Sequence, residues 1–277
     1  MNLSPVAQWA LRIFTWFGLA FLYLPLVVVV ILSFNSATSL SWPPRGFTLD
    51  WWSKAWEADG PREAFITSIK VAAVATAIAL VLGTLAAFAL QRYRFFGKTS
   101  ISFLLILPIA LPGIVTAVAL QNSFSRRIDL GIFDFQVGFG FHSVVIAHAT
   151  FCVVIAYNNV VARLRRLSPN LLEASADLGA GGVQTFRLVT FPLIRSALLA
   201  GGILAFALSF DEIVVTTFTS GPGVETLPLW ILNNLSRGEQ APIVTVVASA
   251  VMLLSIIPVW LAQRLTSDDG PVTGGTR

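Results

Sequence analysis

Of 277 residues, 56% are hydrophobic and only 12% charged, and the mean hydropathy is +0.79. A soluble domain of this size needs far more polar surface, so the composition excludes a water-soluble globule and requires a bilayer to cover much of the chain. The net charge of +4 and the pI near 9.7 do not mark a nucleic-acid binder, because the basic residues are scattered along connecting segments and not gathered on one soluble face.

A helix of about 20 apolar residues crosses roughly 30 Å of hydrocarbon. Six such windows occur, near Phe14–Phe34, Ile66–Leu90, Ile101–Gln121, Phe141–Val161, Ser196–Thr219 and Ile243–Leu261. The first contains Pro25 and the run Val27 to Val30. It is longer than a signal-peptide core and no small-x-small cleavage site follows, so it reads as an uncleaved span. The segment from Asn35 to Phe65 then holds Trp42, Trp51, Trp52 and Trp56, half of the eight tryptophans. Trp52 and Trp56 share a face if Leu49–Glu57 is helical. An interfacial helix anchored by aromatic rings fits this segment, and so does a docking surface for an external partner.

In the second window Gly83, Ala86 and Ala87 form the kind of small-residue patch that lets helices approach closely. Pro108 and Pro112 lie four apart in the third, each removing a backbone donor and bending the helix, which suits a kinked pore lining or simple packing. The fourth window carries Cys152, the single cysteine, which rules out an internal disulfide and offers no metal site. His142 and His148 lie near its outer end. A lone histidine there is more often a packing residue with its bonds satisfied than a ligand or relay, and neither is given a role.

The fourth and fifth windows are joined by about 34 residues, 162–195, the longest inner loop. Ser168 followed by Pro169 marks a helix start, and Leu171, Leu172, Ala174, Ser175 and Leu178 continue it as an amphipathic helix. Gly179, Gly181 and Gly182 break it. A second short helix follows with Val183, Phe186 and Val189 as its apolar stripe, and Pro192 is expected to end it. A stiff amphipathic helix–bend–helix of this kind can pass a push from a cytoplasmic partner to the spans on either side.

Asp211 and Glu212 are the only carboxylates inside any of the six windows. Burying an ionised carboxylate in lipid is costly, so such residues face a cavity or a partner. Counted from Arg195, Asp211 lies roughly 24 Å along a helix, in the outer half of the membrane. As neighbours in a helix the two would point about 100° apart, so both could not face one pathway. Either could hold an ammonium group of a cationic substrate, with Phe210 and Phe218 as walls for its methylenes. A structural pair bonded to a neighbouring helix or partner is the other reading.

Charge distribution sets the orientation. With both termini cytoplasmic, the inner segments carry Arg12, Arg92, Arg94, Lys98, Arg163, Arg165, Arg166, Arg187, Arg195, Arg264 and Arg277. The longer outer segments and their borders carry only Arg45, Lys54, Arg62, Lys70, Arg126, Arg127 and Arg237. Six spans, N-in and C-in, fit best. One membrane domain is expected over residues 1–265, followed by a loose Gly- and Asp-rich cytoplasmic tail, 266–277. The chain has no phosphate-cradling Gly-x-x-x-x-Gly-Lys-Ser/Thr stretch, no paired histidine–carboxylate or zinc pattern, and no convincing internal repeat. It is therefore not expected to hydrolyse ATP or to act as an intramembrane enzyme.

Glu173-Ala174-Ser175, then Gly179, then nine residues and Val189-Thr190-Phe191-Pro192, resemble the "EAA" signature of ABC-importer permeases. The family pattern is Glu-Ala-Ala, three residues, Gly, nine residues, Ile-x-Leu-Pro; serine, valine and phenylalanine replace the second alanine, the isoleucine and the leucine. Pro108-Ile-Ala-Leu-Pro112-Gly113, His148-Ala-Thr-Phe-Cys152, Leu208 to Pro222 and Thr226-Leu-Pro-Leu-Trp230 extend the likeness to the second permease subunit of spermidine/putrescine-type importers. The resemblance implies an all-α membrane protein of the type I ABC-importer permease architecture in the bacterial inner membrane. It implies a second permease, two ATP-binding subunits that hold ATP and magnesium, and an extracytoplasmic substrate-binding protein as partners, with membrane lipid around them. It also implies that Glu173, Ala174, Gly179, Ala180 and Phe186 dock into the ATP-hydrolysing partner, and that this chain holds no cofactor. The competing expectation is a stand-alone cation-coupled carrier that uses Asp211 or Glu212 as a protonatable gate.

Overall fold

The computed structural model describes residues 4–93, 95–129, 134–168 and 170–267. Arg94, Pro169 and the tail from Asp268 onward, each part of an expectation above, lie outside the described residues. The chain divides into two compact units, Met1–Arg62 with Trp230–Arg277, and Glu63–Leu229.

In the first unit, helix α1 (Pro5–Leu32) starts at Ser4, whose Oγ accepts from the Ala7 amide at 3.3 Å, with Pro5 in the first turn. It packs along α12 (Ala241–Ser267), and Ser249 Oγ donates to the Val29 carbonyl at 3.4 Å. Beyond α1, Asn35 organises the loop: its Oδ1 accepts from the amides of Ala37 and Arg45, each at 3.2 Å. The tryptophan-rich stretch forms α2 (Asp50–Glu57), which rests on α12. Trp52 stacks on Phe34 with centroids 5.4 Å apart, whereas Trp56 stands outward, 86% exposed. The four-residue spacing therefore does not put the two rings in one environment.

The second unit is built on α6 (Phe141–Leu164), the most buried of the membrane-length helices, which packs mainly on α9 (Phe191–Phe210) and also on α10 (Val214–Thr219). Helix α3 (Asp59–Arg92) lies against α6 at Gly83. A Cβ there would stand 2.8 Å from the Tyr157 nitrogen and 2.9 Å from the Val153 carbonyl, so the backbones meet where the sequence placed its small-residue patch. The buried residues around this seam include Ala79, Ala147, Phe151, Cys152 and Ala205 near α10, and Ala87, Tyr157, Val160 and Ile194 nearer the loop over residues 162–195.

Among the described residues, four helices are long and apolar enough to cross a membrane, or five if one sharply bent pair counts as a single span. That pair is α4 (Lys98–Ala110) and α5 (Gly113–Ser125), bent by 106°. The third window is thus two short helices joined by a sharp bend. Pro112 is the N-cap of α5 and Leu111 has extended backbone, so the prolines end one helix and start another. A two-residue antiparallel pairing, β1 (Ile128–Asp129) with β2 (Asp134–Phe135), follows α5.

The loop over residues 162–195 also differs from expectation. After α7 (Asn170–Asp177), α8 (Gly182–Thr185) passes through a π-helical turn (Phe186–Thr190) straight into α9. Pro192 does not end the second loop helix; it sits in the first turn of α9. The wide turn explains this, since the Phe191 amide reaches back to the Phe186 carbonyl and the ladder is already reset before the proline removes a donor. Leu178 lies past the end of α7 and is 88% exposed, so it does not belong to that helix's buried stripe. The fifth window is likewise interrupted, because α9 stops at Phe210 and α10 begins at Val214.

Candidate functional site: an acidic break and a coupling segment at the two ends of one helix

The C-terminal end of α9 carries the acidic pair. Asp211 is the cap residue, its amide bonded to the Ala207 carbonyl at 3.2 Å. Glu212 turns its carboxylate onto the next helix, where Oε1 accepts from the Val215 amide at 2.8 Å and caps α10. Thr216 Oγ1 donates to the Glu212 carbonyl at 2.9 Å. The two carboxylates therefore occupy an unwound link, and the 100° argument for neighbouring helical positions does not apply to them. Asp211 is exposed, and among the described residues its carboxylate has no hydrogen-bond or ion-pair partner; Glu212 is half-buried.

The aromatic candidates fall into different groups. Phe210 joins an aromatic row with Phe65 (6.0 Å, edge-on) and Phe206 (6.1 Å, stacked) beside the acidic link. Phe218 packs instead on the core around Ala79, Phe124 and Phe151.

His148, left without a role from sequence, sits at the centre of this region. It is fully buried on α6, with Nδ1 2.8 Å from Ser209 Oγ at the end of α9 and Nε2 2.9 Å from Thr216 Oγ1 on α10. One ring thus spans the break. Flanking it on α6, Ser143 Oγ donates to the Thr219 carbonyl at 2.8 Å and Cys152 Sγ lies 3.3 Å from the Ala205 carbonyl. The partners of His148 are 61 and 68 residues away, so no local pattern exposes them. His142, by contrast, donates Nε2–H to the nearby Val137 carbonyl at 2.6 Å.

The N-terminal end of the same helix run carries the coupling segment, separated from the break by the 20 residues of α9, about 30 Å. Glu173 and Ala174 are exposed on α7. Ser175, at the position where the signature has a second alanine, is buried; its Oγ donates to the Leu172 carbonyl at 2.8 Å and lies 3.1 Å from Thr185 Oγ1 on α8. Gly179 has φ +77°, the left-handed conformation that ends a helix without a Cβ penalty. The Ala180 amide then bonds back to the Ser175 carbonyl at 3.0 Å. Leu178 and Val183 project on either side of this bend, 88% and 82% exposed. Phe186 ties the segment to α3 through Phe88, edge-on at 5.7 Å, and Arg163 Nε donates to the Leu193 carbonyl at 2.7 Å.

A shallow groove of about 460 Å³ runs along α5, lined by Ile114, Val115, Val118, Ala119 and Asn122. It contains neither carboxylate. Among the described residues no cluster of three or more His, Cys, Asp or Glu side chains is placed to hold a metal ion.

Residues 79–268 match the family described as "Binding-protein-dependent transport system inner membrane component". The chain is 36% identical over 248 residues to the spermidine/putrescine transport system permease protein PotC of Haemophilus influenzae, covering 89% of this chain and 92% of that protein. To the putrescine transport system permease protein PotI of Escherichia coli K12 it is 33% identical over 270 residues, 95% of each chain. In fold it is similar to a chain of a bacterial ABC transporter involved in the import of the acidic polysaccharide alginate, with TM-score 0.69, 15% identity, and 98% and 100% of the two chains covered. A second structure, the alginate transporter in complex with its pentasaccharide-bound periplasmic protein, gives TM-score 0.72 at 14% identity, covering 94% and 93%.

Proposed function

This chain belongs to the binding-protein-dependent transport system inner membrane component family, and from that premise we propose that it forms half of the translocation pathway of an ATP-driven importer for a polyamine, putrescine or spermidine. It is a non-catalytic transport subunit, and ATP hydrolysis belongs to a separate subunit. The observation that carries the substrate is the acidic link. This chain is similar over about nine-tenths of its length to proteins named as polyamine permeases, and its own apolar helix is interrupted where two consecutive carboxylates stand, one of them exposed and unpaired. The alginate importer shares the fold while carrying an acidic polymer, so the fold does not choose the sign of the substrate. Local carboxylates do.

In this reading Asp211 receives an ammonium group of the substrate. Glu212 holds the link open through its cap on α10 and presents its remaining lone pairs to the same cation. Phe210, braced by Phe65 and Phe206, supplies an aromatic face for cation and methylene contacts. Phe218 serves as packing behind the site. At the other end, Glu173, Ala174, Gly179, Ala180 and Phe186 form the region that meets the ATP-binding partner, and the exposed Leu178 and Val183 supply its apolar contact.

The polypeptide spans the bacterial inner membrane six times, by α1, α3, the α4–α5 pair, α6, α9 with α10, and α12, both termini cytoplasmic. Residues 1–265 act as one permease domain with a loose tail, 266–277. A second permease, two ATP-binding subunits and an extracytoplasmic binding protein complete the assembly.

The test is ATP hydrolysis by the complete complex in lipid, stimulated by binding protein loaded with spermidine or putrescine. Stimulation that is lost in Asp211→Asn or Glu212→Gln supports both substrate and site. Stimulation by another solute, and by no polyamine, retains the permease and overturns the substrate.

A further inference from the structure

An unwound link in a membrane helix is useful only if its shape is held, because its backbone groups have no ladder to fix them and lipid supplies no partners. The link from Asp211 to Ile213 is held from one side by α6. Three side chains of that helix, Ser143, His148 and Cys152, reach the two helices that flank the link. They meet, in order, the end of α10 at Thr219, both sides of the break at Thr216 and Ser209, and α9 at Ala205. Of these three, His148 is the one that hydrogen-bonds side chains on both helices.

The direction of the bonds follows from their neighbours. Thr216 Oγ1 spends its proton on the Glu212 carbonyl, so toward His148 it accepts, and Nε2 carries the hydrogen. In the neutral ring Nδ1 then accepts from Ser209 Oγ–H. The sequence of donors runs from Ser209 through the imidazole and Thr216 to the backbone of Glu212. It ends on the residue whose carboxylate caps α10.

We propose that His148 is a positioning residue for the polyamine site: by bridging Ser209 and Thr216 it fixes the geometry between α9 and α10 and so sets where the Asp211 and Glu212 carboxylates stand. This rests on the reading of the acidic link as the substrate site. Replacing His148 leaves the Ser143 contact to α10 and the Cys152 contact to α9 in place, so both helices stay attached to α6 while the link loses its brace.

The experiment uses the complete complex in lipid and two readouts. The first is the ratio of hydrolysis with and without spermidine-loaded binding protein. The second is the labelling rate of a cysteine placed at half-exposed Val214, in a Cys152→Ser background, by a charged thiosulfonate reagent. His148→Ala is expected to lower the ratio about tenfold and to change the labelling rate severalfold. His148→Gln, whose amide can still donate to Thr216 Oγ1, is expected to recover at least half of the ratio. Adding Thr216→Val to His148→Ala should lower it no further, because both act on one chain of bonds.

A residue needed only for folding would reduce assembly and both hydrolysis rates together, leaving the ratio and the labelling rate of the assembled fraction as in the wild type; that outcome overturns the proposal, as does an unaffected ratio. If His148→Ala does not assemble, Thr216→Val alone decides by the same criteria. Asp211→Asn separates the two layers. If it leaves the ratio intact, the substrate site itself is misassigned; if it abolishes the ratio while His148→Ala does not, only the positioning role falls.

Discussion

The two ends of α9 solve opposite problems. At the N-terminal end the chain is shaped by its own backbone, with a left-handed glycine, a π-helical turn and one part-buried hydroxyl pair, and it leaves Leu178 and Val183 bare. At the acidic end the shape is imposed from outside by α6, through polar side chains that are buried and bonded. In the proposed reading the first end is gripped by another protein, and the second keeps a costly pair of charges in one place. A segment that must be handled exposes apolar surface, while a segment that must discriminate hides its supports. Double-mutant cycles put an average buried polar bond inside a membrane protein at only about 0.6 kcal/mol, so the acidic end relies on several such bonds together.

The contrast predicts which substitutions separate assembly from transport. The largest effect is expected for Leu178→Glu combined with Val183→Glu. Both side chains are exposed, so the subunit should keep its helicity and thermal midpoint, while recovery of the ATP-binding subunits on affinity purification falls about 30-fold, the equivalent of a 2 kcal/mol anchor. An equal yield of those subunits would place the grip elsewhere. Next comes Gly179→Val. A β-branched residue at φ +77° is strained by at least the roughly 1–2 kcal/mol of an ordinary left-handed residue, and polyamine-driven transport should fall about tenfold. A valine variant with full transport would show that the bend can be re-formed without the left-handed turn.

At the acidic end, Asp211→Asn should lower polyamine uptake about fivefold with no shift in melting temperature, since the side chain is exposed and has no partner to lose. A drop in stability instead would make the carboxylate structural. The smallest effect is expected for Ser175→Ala, which removes one hydroxyl and installs the residue that the resembling signature carries there. Transport should change less than twofold and the melting temperature by no more than a few degrees.

Much of this was legible in the sequence because hydrocarbon length is a one-dimensional signal. Windows at Phe14–Phe34, Ile66–Leu90 and Phe141–Val161 became single long helices, and Gly83 announced the α3–α6 contact. Interruptions were less legible. Pro108 and Pro112 pointed to a bend, but whether two prolines kink a helix or end it depends on what packs beyond them, and here the turn reaches 106°. The break after Phe210 had no proline or glycine to mark it. Glutamate is a weak capping signal, and the run Val214-Val215-Thr216-Thr217 reads equally well as span interior. His148 was legible as a packing histidine but not as a bridge, because both partners come from helices made much later in the chain. Pro192 misled for a similar reason, since the turn that absorbs it leaves no mark in composition.

The sharp elbow between α4 and α5 bears on how the subunit is made. At 1.5 Å per residue, the 13 residues of α4 reach about 20 Å, well short of a hydrocarbon layer of about 30 Å. Helix α5 turns away by 106° and packs chiefly on α10, which leaves the ribosome some 90 residues later. Until that helix arrives, α5 has only its smaller contact with α6 and lacks its main seat. The elbow therefore completes late in biogenesis, and nascent chains halted before Val214 should carry the α4–α5 segment in a form open to proteases that the finished subunit resists.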